Sequence, residues 1–289
     1  NAMLLGIGGG ITTDMTGFTA SIYKRGIRFA YLPTTFLAQV DAAIGGKTGV
    51  NFENYKNILG VIRQPEFTYV CPEVLGTLTY RDFLSGAAEL VKTFIIDDSG
   101  DNYEKAVTIL SEIHDATDHT SAIASHHAEL EELIAAAARV KAGVVERDEF
   151  EMGERRKLNL GHTFAHAIEW EAHNREQSMG EVNAGVYGIS HGEAVAMGMI
   201  MAAEASEYYY ADDKSQPVAT QGIVKKLTED FRRCGLPVEC PYPITTLAEA
   251  MKKDKKSENG IVHFILIRAI GDVRIEDLPV DDVVSWISK

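Results

Sequence analysis

Basic side chains are scarce in this chain of 289 residues: 28 Lys and Arg stand against 42 Asp and Glu, a net charge of −14. That balance excludes a general nucleic-acid binder, which needs a basic face for the phosphates. It leaves room for a local basic pocket around a small phosphorylated substrate. Cysteine is scarcer still. Cys71, Cys234 and Cys240 cannot all pair with one another and none forms a CxxC, so they read as reduced thiols of a cytoplasmic protein. No apolar run is long enough for a membrane span. Met3 to Ile7 lacks the length and the basic leader of a signal-peptide core. Asn1-Ala2 ahead of Met3 reads as the remnant of a cleaved tag. Apolar residues are present in quantity: at 45% hydrophobic the chain is not disordered, and its length suits one large domain or two ordinary ones.

The first third alternates short apolar runs with helical patterns. Residues 4–7 predict a buried strand that runs into Gly8-Gly9-Gly10. Thr12, Thr13 and Asp14 offer capping chemistry for a helix through Met15, Phe18 and Ile22. Residues 27–32 predict a second strand, stopped by Pro33. Thr34 and Thr35 can cap the next helix, which Gly45-Gly46-Lys47 breaks, and residues 67–70 predict a third strand. This is α/β texture, with too few strands for a full doubly wound sheet. Beyond Tyr80 the pattern is helical: 83–96, 103–113, 120–145, 160–173, 192–210, 222–234, 244–253 and 280–287, with one hairpin strand at 262–267. The expected division is an α/β domain over residues 1–97 and an all-α domain over 98–289. Residues 175–190 read as a loop.

Three stretches carry residues suited to chemistry. Gly8-Gly9-Gly10 between a strand and a helix can hold a phosphate on backbone N–H groups, although a plain tight turn has the same sequence. Gly45-Gly46-Lys47-Thr48-Gly49 looks like the end of a P-loop but lacks its first glycine, so nucleotide hydrolysis is set aside. A lysine in a glycine-rich loop still suits an anion, and Lys56-Asn57 can join it. His162 and His166, four apart, share a helix face at a spacing that can chelate a metal. The second-position Glu of a zinc peptidase is missing there. His191 opens another helix. Glu89 stands in an apolar helix, where a buried carboxylate needs a metal or an ion pair, with Lys92 the nearest partner. Spacing alone does not choose among these ligands. His114, His119, His126 and His127 fall in polar helices and read as solvated.

Taken in order, the motifs are those of a family. They include Gly8-Gly9-Gly10 with Asp14, Lys24-Arg25-Gly26, the run from Pro33 to Asp41, and Gly45-Gly46-Lys47-Thr48-Gly49-Val50-Asn51. Lys56-Asn57, Gln64-Pro65, Gly86-Ala87-Ala88-Glu89-Leu90-Val91-Lys92, Leu158-Asn159-Leu160-Gly161-His162-Thr163 and His191-Gly192-Glu193-Ala194-Val195 follow. From Leu4 to about Gly271 the chain resembles the 3-dehydroquinate synthases, sugar phosphate cyclases of the shikimate pathway. The resemblance implies a Rossmann-like NAD-binding domain, a helical domain, an active site in the cleft between them, one divalent metal (zinc, with cobalt as the alternative) and a homodimer. It places the metal on Glu89, His162 and His191, and moves His166 to substrate binding or proton handling. It places the substrate on Asp41, Lys47, Asn57, Lys92, Lys141, Arg155, Asn159, His166 and a lysine of the Lys255-Lys256 pair, with Arg25 reaching the phosphate of the neighbouring subunit. It places NAD on Gly10, Ile11, Thr12, Thr13, Asp14, Thr34, Thr35, Lys47, Lys56 and the segment Val74, Leu75, Gly76, Thr77.

The implied reaction converts 3-deoxy-D-arabino-heptulosonate 7-phosphate to 3-dehydroquinate and phosphate. An alcohol is oxidised by NAD, phosphate is eliminated, the ketone is reduced back, the ring opens, and an intramolecular aldol step closes the carbocycle. The chain departs from the family at Thr13, where glycine is usual, at Tyr55, and at Thr93-Phe94 after Lys92; the stretch from Arg175 to Ser190 is also longer. The chain starts at the glycine-turn strand, so the expectation is of a partial cofactor domain that binds metal, holds NAD weakly and turns over slowly, with an apolar edge that favours association. The competing expectations are a non-catalytic metal-binding remnant, a sister cyclase that makes an inosose or a valiolone, and an iron-dependent alcohol or glycerol dehydrogenase.

Overall fold

A computed structural model describes residues 2–52, 55–99, 101–178, 188–211, 220–253 and 260–288; the side chains of residues 52, 55–57, 176–178 and 253 are outside the description. Packing divides the chain into two compact units. One comprises residues 1–93 with 108–155, the other residues 94–107 with 156–289.

In the first unit, β1 (Met3–Gly8) lies parallel to β2 (Arg28–Pro33), with Met3 opposite Arg28 and Gly8 opposite Pro33. A parallel pair needs a crossover, and α1 (Gly10–Ile22) supplies it. Ala20, Phe29, Tyr31 and Ala43 form a buried apolar cluster in this unit, with Leu4 and Ile27 packed on it. The period-2 alternation of β1 leaves Met3, Leu5 and Ile7 exposed, and Ile11, Met15 and Ile22 of α1 are exposed with them.

A hairpin follows, β3 (Lys47–Phe52) against β4 (Tyr55–Ile62), with Lys47 opposite Ile62. It is entered through Gly45 and Gly46, at φ of +103° and +71°. A Cβ on Gly45 would lie 2.6 Å from Nη2 of Arg155, so both the backbone angle and the close approach require glycine there. Next come α2 (Tyr80–Ile96), α3 (Asn102–Asp115), α4 (His119–Ser125) and α5 (His127–Arg147).

The second unit is built on α6 (His162–Ser178) and α7 (His191–Tyr209). Around them lie α8 (Ile223–Arg233), α9 (Ile244–Lys253), the antiparallel hairpin β5 (Ile261–Ala269) and β6 (Asp272–Pro279), and α10 (Val280–Ile287). α7 is apolar around its whole circumference from Ala194 to Ala203, the pattern of a central helix. Ser206 at its end accepts the Ile267 N–H at 2.8 Å and so ties β5 to it. No helix among the described residues is long and apolar enough to cross a membrane.

Several local expectations change. Thr12, Thr13 and Asp14 lie inside α1; its N-cap is Gly9, with no side-chain cap. The glycine-lysine segment enters a hairpin instead of a loop, because Thr48 and Val61 pair across it. Of residues 67–70 only Thr68 bridges to Tyr31. The long helix 120–145 is two helices, broken at His126 where ψ is 19°. The histidines before it are not solvated singly. Tyr80 stacks on His119 at 3.6 Å and its hydroxyl meets Nδ1 of His114 at 2.8 Å, while His126 and His127 face Glu112 and Glu73. Residues 175–178 continue α6, and 179–187 lie outside the described residues.

α7 packs closely against the start of α6. A Cβ on Gly198 would lie 2.2 Å from the Gly161 carbonyl oxygen, a backbone atom that cannot swing aside. Gly198→Ala is therefore expected to cost about 3 kcal/mol, the upper range for an overpacked core. The denaturant midpoint of the variant measures this; an unchanged midpoint would show that the helices can part freely.

Candidate metal and anion site

Asp41 sits on a π turn, Ala38–Ala42, closed by the Ala43 N–H on the Ala38 carbonyl at 3.0 Å. The turn leaves the Asp41 carbonyl to the Ile44 N–H at 3.0 Å and to Nζ of Lys141 at 2.7 Å. The same Nζ donates to the Asp41 carboxylate at 2.5 Å. Lys92, on α2, lies with its Nζ 2.6 Å from Glu89 Oε2 and 3.8 Å from Asp41 Oδ1. Glu89 and Lys92 are both fully buried. Burial works against every charge in this quartet. At Asp41 the ammonium groups of Lys141 and then Lys92 outweigh it and hold the carboxyl below its usual range. At Lys92 burial is outweighed by Asp41 and Glu89, and the amine is raised. At Lys141 burial, helped by Lys92, prevails over Asp41, so this amine is lowered and is the more readily deprotonated of the two ammonium groups.

The other cations of this unit are also held. Arg155 is buried, donating to the Gly45 carbonyl at 2.7 Å and to the Glu149 carbonyl. Lys47, half exposed, pairs with Glu151. Arg25 is exposed, in a turn where Lys24 and Arg25 both take positive φ, 50° and 65°. That conformation costs a non-glycine residue of order 1 kcal/mol.

The expected dinucleotide residues Gly10, Ile11, Thr12, Thr13 and Asp14 form the first turns of α1. The Thr34 N–H reaches the Gly8 carbonyl at 2.9 Å, and Oγ1 of Thr35 accepts the Ala38 N–H at 3.2 Å. Val74, Leu75, Gly76 and Thr77 lie in the 3₁₀ turn Pro72–Thr77. Lys56 and Asn57 are on β4 with side chains outside the description, and Lys255 is outside the described residues.

In the second unit, Asn159 ends the 3₁₀ turn Glu154–Asn159, and α6 follows at His162. The His162 ring is edge-on to His166 at 5.7 Å and to His191 at 5.4 Å. Nδ1 of His162 meets the Leu160 carbonyl at 3.1 Å, and Nδ1 of His191 meets Glu169 Oε1 at 3.2 Å. A carbonyl and a carboxylate only accept, so in both rings Nδ1 carries the proton, and in the neutral imidazole the lone pair is then on Nε2.

Glu89, His162 and His191 each offer one ligand atom, and these atoms lie within 4.8 Å of one another. It is the one such group of three or more metal-binding side chains among the described residues. One carboxylate and two imidazoles with a position to spare is a donor set suited to catalytic zinc or a neighbouring divalent ion, so the residues fit the metal. His166, which spacing paired with His162, is not in the group. The glycine turn also fits a pyrophosphate: α1 begins with neither a side-chain cap nor an acidic residue in its first turn, so its N–H groups and positive end face no competing anion. Glu151 and Glu169 were not singled out by sequence. Glu169 had a signal, since it follows His162 by seven residues and so shares its face of α6.

Asp14, partly buried, is pushed up to about 7, by burial first and then by Asp41, against the pull of Lys141. The folded chain thus holds a proton that the unfolded chain releases near 3.8. Its contribution to stability is present below that value and is lost as pH rises to about 7. Asp14→Asn removes the dependence, so melting temperatures of parent and variant, followed across that window, are expected to diverge in the variant's favour as pH rises. Parallel curves would contradict the assignment.

Comparison with known proteins gives the lineage. The family model for the 3-dehydroquinate synthase N-terminal domain matches residues 1–85, and that for its C-terminal domain residues 86–257. The 3-dehydroquinate synthase of Pyrococcus abyssi is 40% identical over 278 residues, covering 96% of this chain and 72% of that protein. Its counterpart from Legionella pneumophila is 38% identical over 281 residues, covering 96% and 68%. Among solved structures, 2-epi-5-epi-valiolone synthase from Streptomyces hygroscopicus, with NAD+ and Zn2+ bound, aligns at a TM-score of 0.80 and 24% identity over 99% of this chain and 73% of that one. A 2-deoxy-scyllo-inosose synthase complexed with carbaglucose-6-phosphate, NAD+ and Co2+ aligns at 0.77 and 24%, over 98% and 72%. These two establish the fold, a Rossmann-like part with a helical part. By its two matched domain models and its identity to synthases from distant organisms, the chain belongs to the 3-dehydroquinate synthase family.

Proposed function

We propose that the chain is a 3-dehydroquinate synthase, a NAD- and metal-dependent lyase that converts 3-deoxy-D-arabino-heptulosonate 7-phosphate to 3-dehydroquinate and phosphate in aromatic amino acid biosynthesis. The observation that carries the reading is the Glu89, His162 and His191 group, found in a chain of this family. These three residues hold a divalent metal, zinc or cobalt, which when bound polarises the substrate alcohol and stabilises the developing oxyanion. Gly10 to Asp14, Thr34, Thr35, Lys47, Lys56 and Val74 to Thr77 would hold NAD, which would supply a reversible hydride acceptor for the substrate alcohol.

The remaining roles follow from charge. Asp41, Glu89, Lys92 and Lys141 sum to zero, so this quartet alone does not attract an anion. Lys92 is shared between Glu89 and Asp41 and fixes the position of the Glu89 carboxylate. Lys141, the lowered amine, exchanges a proton at Nζ while the Asp41 carbonyl and carboxylate fix its position. Arg155 fixes the Gly45 turn that sets the position of Lys47, and Lys47, Asn57 and Lys255 meet the substrate's carboxylate and phosphate. Asn159 and His166 bind substrate hydroxyls, and Arg25 serves the neighbouring subunit. We also place the enzyme in the cytoplasm as a homodimer, with the exposed apolar residues of β1 and α1 in support of association.

The direct test supplies the purified chain with NAD, zinc and the heptulosonate phosphate and follows phosphate and dehydroquinate together. Stoichiometric appearance of both is expected, with loss on chelation and recovery on adding zinc or cobalt. His162→Ala should lower turnover by more than about 100-fold, since an open metal site with two protein ligands holds its ion poorly. Stoichiometric metal without phosphate release would refute the synthase reading in favour of a metal-binding remnant.

A further inference from the structure

His191 has its backbone fixed before its ring is considered. Ser190 caps α7 by accepting the Glu193 N–H at 3.3 Å, and Glu193 Oε2 accepts the Ser190 N–H at 2.6 Å, a reciprocal capping box that sets the first residue of the helix. Rotation about the side-chain bonds remains. His191 is about one-third exposed, so packing does not settle its ring orientation. Glu169 does so from α6. Its Oε1 lies 3.2 Å from Nδ1 of His191, and its side chain is 12% exposed and held by the helix that also carries His162. Glu169 is not among the three residues whose ligand atoms converge.

We propose that Glu169 is a positioning residue that orients His191 for metal binding by accepting the hydrogen bond from its Nδ1–H. The carboxylate selects the tautomer with the proton on Nδ1 and leaves Nε2 as the ligand atom. It also makes the imidazole a better donor, because the positive charge that develops on the metal-bound ring is met by the carboxylate behind it. His162 has a weaker version of the same support, a neutral backbone carbonyl at 3.1 Å. The two histidines thus differ in what stands behind them: one is fixed by the backbone, the other by a charge that a single substitution removes.

The inference rests on His191 being a ligand, and the experiment separates the two. The full chain is stripped of metal and titrated with Co2+, reading the visible d–d bands and the dissociation constant; thermal melts of the metal-free proteins report folding. His191→Ala is expected to abolish stoichiometric binding, and retention there refutes the ligand assignment itself. Glu169→Ala is expected to weaken binding about 10- to 100-fold and shift the d–d bands, the range seen when such outer partners are lost. Glu169→Gln, whose amide oxygen still accepts from Nδ1–H, should recover most of that loss. Glu171→Ala, on the same helix and paired with Arg175, should match the parent. Parent-like affinity in a folded Glu169→Ala overturns the proposal. So does a Gln variant as weak as the Ala variant with no bound cobalt spectrum, which would make Glu169 a ligand.

Discussion

A single ammonium group governs the site. Lys92 is a fully buried cation, and such a group survives only where opposite charge is within a few ångströms. Glu89 and Asp41 provide it, and each carboxylate is in turn tolerable only because Lys92 is there. The arrangement is mutual: removing any one member leaves a buried charge uncompensated, at about 3–5 kcal/mol. This explains why the sequence places Glu89 and Lys92 one turn apart on α2, where the helix fixes their separation. It also explains why Asp41 takes a second lysine: one ammonium shared between two carboxylates leaves a negative balance that Lys141 removes.

Rigid elements carry nearly every functional side chain. His162 begins α6 and His191 begins α7, and the near-contact of Gly198 with the Gly161 carbonyl fixes how closely these helices approach. Ligands on packed helices keep their mutual distances without metal to organise them. The cation-bearing loops are tied by other means. Arg155 holds the Gly45 turn through its carbonyl, and the acid-rich segment after α5 holds Arg155 and Lys47 in turn through the Glu149 carbonyl and the Glu151 carboxylate.

Much of this was legible in the sequence, for reasons that differ by residue. β1, β2 and α7 announce themselves because burial imposes period 2 or an unbroken apolar run. Glu89 was legible as an anomaly, a carboxylate where only apolar residues belong, and the structure satisfies both explanations offered for it: the lysine on the next turn and the histidines. The β3–β4 hairpin was not legible, since Gly45, Gly46 and Gly49 read as loop residues and the strand residues between them are mostly polar. The break at His126 leaves no glycine or proline to mark it. His166 illustrates the limit of spacing: four residues put it beside His162, and the helix face alone cannot say which neighbour completes the metal group. Glu169 shares a helix face with His162, but nothing in the sequence says that His191, twenty-two residues on, meets it.

The π turn at Asp41 gives the site an unusual sensitivity to chain length. One extra residue is accommodated between Ala38 and Ala43 relative to a regular α-helical turn. The carboxylate direction that serves Lys92 and Lys141 therefore depends on a count of residues as much as on their identity. Deleting one residue in 38–40 would let the backbone return to ordinary α-helical bonding, and every side chain beyond it would swing by about 100° around the axis. The aspartate would still be encoded and still sit in a helix, but it would face elsewhere. In this chain, insertion and deletion at that turn are thus changes of active-site chemistry.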